Sequence, residues 1–374
     1  MSRTRPLLIY GTRPEAIKMA PVVAVCRKHE ALEPVVCVTG QHREMLDQVN
    51  EYFGIVPDID LAVMRPGQTL AELTARLLEG IDATLARYQP DCIVAQGDTT
   101  TVLAGALAAF YRKLPFVHVE AGLRTGNLQA PFPEEMNRRV ATLAAALHCA
   151  PTQRAADTLL AEGAAPALLH VTGNTVIDAL LATAARERAR SDHWQSKYKM
   201  LGRERLVLIT GHRRESFGEG IENICEAIRV SARQFTDVWF LYPLHLNPSV
   251  QEPVRRMLDG LPNVILAPPA AYPEFVWLMD RSSVILTDSG GVQEEAPSLG
   301  KPVLVTRTTT ERPEAVEAGI AELIGTDTLK IVERLAAHLD GGYGVAATVR
   351  TNPYGDGHAA ERIVELIAER RWCT

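Results

Sequence analysis

The sequence predicts an α/β protein of two domains, each a doubly wound parallel sheet. Three observations carry this. Short apolar runs alternate with longer amphipathic segments, the βα rhythm of such sheets. The runs are continuously apolar rather than alternating, as strands buried on both faces require. The chain has 374 residues, more than one core of ordinary size needs. Its two halves also begin alike: Leu8-Ile-Tyr-Gly11-Thr-Arg13-Pro-Glu15 in one, Leu208-Ile-Thr-Gly211-His-Arg213-Arg-Glu215 in the other.

In chain order, the first strand, Leu7–Tyr10, feeds Gly11-Thr-Arg-Pro-Glu-Ala16. Val35–Val38 follows. Cys92–Ala95 feeds Gly97-Asp98-Thr-Thr, and Phe116–Val119 feeds Glu120-Ala-Gly122. The domain boundary is expected near Gly173-Asn-Thr175, before a charged, weakly apolar stretch from Arg186 to Arg205. Leu206–Ile209 then feeds Gly211-His212-Arg213, followed by strands Val238–Leu241 and Val264–Leu266. Val284–Leu286 feeds Thr287-Asp-Ser289-Gly290-Gly291, and Val303–Val305 closes the series. Polar motifs follow the strands directly. In open α/β sheets ligands bind at the carboxyl ends of strands, so these motifs are expected to converge on one crevice.

The Ser289-Gly290-Gly291 turn is the sharpest signal. Glycines between a strand and a helix let the backbone approach a phosphate, and the first N–H groups of the helix are free to bind it. Glu295, four residues past Gly291, shares its helical face. A carboxylate there can accept from two adjacent hydroxyls, as a ribose offers. The turn is thus expected to hold a nucleotide diphosphate, although an ordinary βα turn also calls for glycine.

Composition removes several classes. A balance of 47% apolar and 22% charged residues is that of a globular protein. A net charge of -6 argues against nucleic acid or an anionic membrane as main partner. The six cysteines form no C-x-x-C pair and several lie in apolar runs, so reduced, buried thiols and a cytoplasmic location are expected. The early apolar run is too short for a signal peptide, and no run reaches membrane-spanning length.

Neither half carries G-x-G-x-x-G in its first βα turn, and there is no Walker A sequence or G-x-S-x-G elbow. No histidine spacing suits a metal. His118-Val-Glu120 comes nearest, and in a strand it would point both side chains to one face. No nicotinamide cofactor and no metal are expected. What remains for chemistry is Asp98, Glu120, the Glu134-Glu135 pair and His212. Asp98-Thr99-Thr100 can equally cap a helix, and Glu134 can complement a helix dipole. Two arginines beside His212 should favour its neutral form.

Taken together, Gly11-Thr-Arg-Pro-Glu-Ala-Ile-Lys-Met-Ala-Pro21, Gln96-Gly-Asp-Thr-Thr-Thr101, His118-Val-Glu-Ala-Gly-Leu-Arg124, Pro133-Glu-Glu135, Gly211-His-Arg-Arg-Glu215 and Ser289-Gly-Gly291 resemble the non-hydrolysing UDP-N-acetylglucosamine 2-epimerases of bacteria. The motifs occur in order over nearly the whole chain. The resemblance implies a GT-B architecture, with an N-terminal Rossmann-like domain at 1–172, a UDP-binding one at 173–356, and a final helix, about 357–374, returning to the first. The active site would lie in the cleft between them. It implies reversible conversion of UDP-GlcNAc to UDP-ManNAc for cell-surface polysaccharide, without a cofactor, by a homodimer.

Carried over by position, Asp98, Glu120, Glu134 and His212 form the catalytic group. Arg13 and Lys18 contact substrate and diphosphate. Ser289, Gly290 and Gly291 hold phosphates, Glu295 the ribose, Arg312 the UDP side, and Phe275 packs near uracil. Gln41, His42, Gln68, Arg213 and His245 match a second, activating UDP-GlcNAc site of some members, with Glu44 and Gly67 standing where certain relatives have Gln and Arg. The continuation Pro14-Glu-Ala-Ile-Lys18 favours the non-hydrolysing branch. The other readings are a hydrolysing epimerase releasing ManNAc and UDP, a GT-B glycosyltransferase, and a non-catalytic nucleotide-sugar sensor.

Overall fold

A computed structural model describes residues 3–40, 43–211, 213, 217–341 and 352–372. The chain divides into two compact units, Met1–Ala179 with Tyr354–Thr374, and Leu180–Pro353.

The first unit opens with β1 (Pro6–Tyr10), α1 (Arg13–Lys28), β2 (Val35–Val38), α2 (Arg43–Phe53), β3 (Ile59–Asp60) and α3 (Leu70–Tyr88). It continues through β4 (Cys92–Gln96), α4 (Thr100–Tyr111), β5 (Phe116–Val119) and α5 (Glu134–Ala144). β6 (Leu147–Ala150), α6 (Gln153–Ala161) and β7 (Leu169–Val171) complete its sheet. Among the described residues this sheet has the order β3-β2-β1-β4-β5-β6-β7, with every pairing parallel. Leu7, Leu8 and Ile9 are all fully buried, because helices cover both faces. Burial of each such side chain contributes roughly 1.5–3 kcal/mol.

The order reverses between β1 and β4, so the loops after these strands diverge and leave a crevice at their carboxyl ends. Two capped helices begin there. Thr12 caps α1 in a reciprocal box with Glu15, and Thr99 caps α4 by accepting from Val102 N–H. Glu15 also ties the turns together: one oxygen accepts from Gly11 N at 2.9 Å and Thr12 N at 2.7 Å, the other from Thr99 Oγ1 at 2.5 Å. Gly122 leaves β5 at a φ of +98°, and a Cβ there would stand 2.3 Å from the Ala155 carbonyl oxygen, so the backbone itself requires glycine.

α7 (Thr175–Ala189) carries the chain from the first unit to the second, and the division falls within it, a few residues beyond Gly173. The second unit follows with α8 (Ser191–Lys197), β8 (Arg205–Thr210), α9 (Glu219–Gln234), β9 (Val238–Pro243), α10 (Pro248–Leu258) and β10 (Val264–Ala267). Next come α11 (Tyr272–Arg281), β11 (Val284–Thr287), α12 (Gly290–Glu295), β12 (Val303–Val305), α13 (Pro313–Glu317), β13 (Ala321–Leu323) and α14 (Thr328–Leu339). Its parallel sheet has the order β10-β9-β8-β11-β12-β13, reversing between β8 and β11. The similar openings of the two halves are therefore equivalent strands, β1 and β8, each beside its sheet's reversal.

α15 (Ala359–Ala368) belongs to the first unit. Asp178 accepts from the N–H groups of Ala359 and Ala360 at its start, at 3.3 and 2.8 Å. Four strands escaped the apolar-run reading: β3, β6, β7 and β13. Each is short, and His148, His170 or Glu322 interrupts three of them. The charged stretch before β8 is also more ordered than its composition suggested. α8 places Trp194, and the residue after it Tyr198, on the Trp277 ring, with centroids 6.2 and 5.9 Å apart.

Candidate active site

In the first unit, acidic side chains gather around the ends of β4 and β5. Glu120 departs from expectation. It does not continue the strand with His118 on one face; it stands just past β5 in the left-handed region, φ +62°. Its carboxylate accepts from Lys18 Nζ at 2.8 and 2.6 Å and from the Gln96 amide. Only 5% of the Glu120 side chain is exposed, against 17% for Lys18, so this ion pair is little screened by water.

Asp98 does not cap α4; Thr99 does, which leaves the Asp98 carboxylate to pair with Arg138. Asn137 Nδ2 donates to the Asp98 carbonyl at 2.8 Å. Arg138 reaches Asp98 and Glu135 together. Burial alone would raise the Glu135 pKa, but hydrogen bonds from Thr125 N–H and Arg139, with the Arg138 charge, hold it below the usual range. Glu135 thus anchors Arg138 and the loop before α5. Glu134 begins α5, and its buried Oε2 has no hydrogen-bond partner among the described residues. A carboxylate oxygen in that position can take a proton or a substrate hydroxyl. Arg13 is the first residue of α1 and half-buried.

His118 faces inward instead, with Nε2 2.7 Å from the Gly97 carbonyl oxygen, which fixes that nitrogen as the donor of a neutral ring. Among the described residues no group of three potential ligands could hold a metal ion. Burial pushes His118 down to about 4, and burial with the nearby Arg124 charge does the same to His148. Unfolded histidine titrates near 6.5. Between those values the unfolded chain binds protons that the folded one refuses. Stability is fully present above about 6.5 and falls as pH drops toward about 4, by an order of a few kcal/mol. Denaturant unfolding should give a smaller free energy at pH 5 than at pH 7, and a smaller difference in His148→Gln. An equal difference in both proteins would rule this origin out.

In the second unit, the β8 and β11 ends form the other group. Asp288, buried, accepts from Arg213 N–H at 2.8 Å, and Thr287 Oγ1 accepts from Ser289 N–H at 3.0 Å while meeting Thr210 Oγ1 at 2.5 Å. These bonds shape the turn into α12, whose N-cap is Ser289. A Cβ on Gly290 would come within 3.8 Å of Arg213 Nη2, and one on Gly291 within 3.8 Å of Glu295 Oε2. The turn therefore brings bare backbone, a guanidinium and the Glu295 carboxylate together, as the shared helical face implied. Arg312 pairs with the buried Glu294. Gln293 accepts from Thr310 Oγ1 at 2.6 Å, which holds that segment beside α12. Phe275 lies half-buried on α11.

Of the other expected positions, Gln68 is held by Arg76 and Met64, and His245 is exposed, its Nδ1 accepting from Asn247 N–H. Gln41, His42 and His212 lie outside the described residues. Sequence reasoning overlooked Asn137, met Gln96 only as the start of its motif, and read the Arg138-Arg139 pair as a basic cluster suited to an anionic small molecule or as solvated surface, without its carboxylate partners. Arg138 was legible, since it sits one helical turn after Glu134 and shares its face. Gln96 had the subtler signal of an amide ending an apolar strand.

A family model described as UDP-N-acetylglucosamine 2-epimerase matches residues 24–368. The chain is 52% identical over 371 residues to the UDP-N-acetylglucosamine 2-epimerase of Escherichia coli K12, covering 98% of each. Among solved structures, it is similar to the Neisseria meningitidis UDP-GlcNAc 2-epimerase bound to UDP-GlcNAc, with a TM-score of 0.88 and 45% identity over 98% of this chain and 100% of that one. The Methanocaldococcus jannaschii enzyme in complex with UDP-GlcNAc and UDP has a TM-score of 0.79 and 31% identity, with coverages of 98% and 100%.

Proposed function

Since the chain belongs to the UDP-N-acetylglucosamine 2-epimerase family, whose solved members are GT-B-like, we propose that it interconverts UDP-GlcNAc and UDP-ManNAc by the non-hydrolysing route. The observation that carries this is the pairing of two chemistries, each at the reversal of a parallel sheet. One is a glycine turn with Arg213 and Glu295, suited to a nucleoside diphosphate; the other is a carboxylate group with Lys18 and Arg138, suited to proton transfer.

C2 of the sugar is not next to a carbonyl, so its hydrogen is not acidic. Inversion therefore needs temporary oxidation or departure of the nucleotide. We take the second course: UDP leaves as C2 loses its proton, giving 2-acetamidoglucal, and adds back after C2 is protonated from the other face. Asp98, Glu120, Glu134 and His212 serve proton transfer. Arg13 and Lys18 contact the sugar and diphosphate. Ser289, Gly290, Gly291 and Arg312 retain UDP, with Glu295 on the ribose and Phe275 near uracil. In the readout that tests this, protein treated with charcoal and chelator converts UDP-GlcNAc to UDP-ManNAc in a proton NMR spectrum. Dependence on added NAD or a divalent ion would overturn it, as would free ManNAc as main product.

Glu295→Ala and Arg312→Ala are expected to weaken UDP binding by roughly 1.5–3 kcal/mol each, the loss of one charge-assisted hydrogen bond. Arg312→Ala also takes the cation from buried Glu294, so calorimetry must be done on protein shown to be folded. An unchanged dissociation constant refutes the assignment.

The same reading includes a homodimer in the cytoplasm whose product feeds cell-surface polysaccharide. Phe110 and Tyr111 at the end of α4 are 67% and 69% exposed, and Leu143 on α5 is 88% exposed, apolar surface that a second copy can cover. The five described cysteines are free and buried, which suits a reducing compartment. Among the described residues no helix is long and apolar enough to cross a membrane. A second UDP-GlcNAc bound through Gln41, His42, Gln68, Arg213 and His245 remains part of the proposal. It predicts sigmoidal dependence of rate on UDP-GlcNAc.

A further inference from the structure

Glu120 is held in an unusual way. A non-glycine residue at φ +62° sits in a sparsely populated region and persists there only where its surroundings enforce it. The backbone on both sides is fixed: Gly97 N–H donates to the Val119 carbonyl at 3.0 Å, and Ala121 N–H to the Cys149 carbonyl at 3.1 Å. The side chain is then gripped from two elements, by Lys18 on α1 and by Gln96 at the end of β4. Gln96 is itself buried and lies beside Val119 in the β4–β5 register.

The two grips differ in kind. Lys18 supplies charge and reaches both carboxylate oxygens. The Gln96 amide supplies only a directed N–H, does not titrate, and has no acceptor role toward an ionised carboxylate. A hydrogen bond donated to the charged form favours that form. His118 on β5 also senses the Glu120 charge, and burial keeps its ring neutral.

We propose that Gln96 is a positioning residue for the epimerisation, its amide holding Glu120 ionised and aimed between two donors so that Glu120 enters each turnover as a proton acceptor. This rests on the epimerase reading above. The simpler alternative is that Gln96 merely ends β4, in which case its removal costs stability and leaves the titration of Glu120 where it was.

Two variants separate these. Gln96→Leu removes the donor at similar volume, and Gln96→Glu keeps the shape while placing a second carboxyl against Glu120. Activity on UDP-GlcNAc is measured across pH, after melting curves establish folding. We expect kcat to fall about 10–100-fold in Gln96→Leu, from the loss of one hydrogen bond to a charged group, with KM within about twofold. The acid limb of the kcat profile should move to higher pH in Gln96→Leu and further in Gln96→Glu. Independently of activity, carbon-13 NMR of protein labelled at glutamate carboxyls, with the Glu120 signal assigned by its loss in Glu120→Gln, should show Glu120 titrating at higher pH in both variants. An unmoved Glu120 titration in either folded variant overturns the proposal. Wild-type protein inactive on UDP-GlcNAc would overturn the epimerase reading, while the carboxyl titration would still decide the role of Gln96.

Discussion

Glu120→Gln is expected to slow epimerisation by roughly 10²–10⁴-fold, the contribution of a positioned acid or base. The substitution preserves shape, and the new amide oxygen can still accept from Lys18, so folding should survive. What is lost is the ability to take a proton. Asp98→Asn and Glu134→Gln are expected to have effects of the same size for the same reason, although their surroundings differ. The Asp98 carboxylate is 28% exposed and paired with Arg138, whereas Glu134 presents a buried oxygen that lacks a hydrogen-bond partner among the described residues. Asp98→Asn and Glu134→Gln should retain UDP affinity, because neither substitution touches a residue proposed to hold UDP. A folded variant with rate within a few-fold of wild type would remove that carboxylate from the acid/base set.

Much of this arrangement is legible in the order of amino acids. Continuous apolar runs locate the central strands of both sheets, because those strands are buried on two faces and admit a polar residue only where it finds a partner, as His118 does on the Gly97 carbonyl. Edge strands such as β7 and β13 are too short and too mixed in composition for that signal. The motifs after β1, β4, β8 and β11 stand out because a strand-to-turn junction concentrates glycine and charge at the ligand-facing end. Pairings across the sheet do not. Nothing in spacing says that Glu15 reaches Thr99, that Arg138 rather than a helix terminus takes Asp98, or that Glu120 turns out of its strand toward Gln96. Such contacts join residues far apart in sequence, and only the register of parallel strands brings them together. The His118-Val-Glu120 reading failed for a related reason: period-two alternation holds only while the backbone stays extended, and it leaves that region at Glu120.

The sharpest consequence of the proposed chemistry concerns hydrogen at C2. If UDP departs by elimination, the C2 proton is lost to the protein and its replacement comes from solvent. In heavy water, product UDP-ManNAc should therefore carry deuterium at C2 in every molecule formed, and recovered UDP-GlcNAc should gain it as the reaction reverses. A carboxylate such as Glu120, exchanging its proton with water between turnovers, makes this labelling close to complete. Small amounts of free UDP and 2-acetamidoglucal should accumulate when the intermediate escapes. A transient oxidation at C3 would yield no unsaturated sugar, and a hydrolysing enzyme would leave free ManNAc. The carboxylate variants should lose exchange in parallel with epimerisation, whereas Glu295→Ala, which acts on the nucleotide, should regain much of its rate at higher substrate concentration. Epimerised product retaining protium at C2 would falsify the elimination route, whatever the identity of the base.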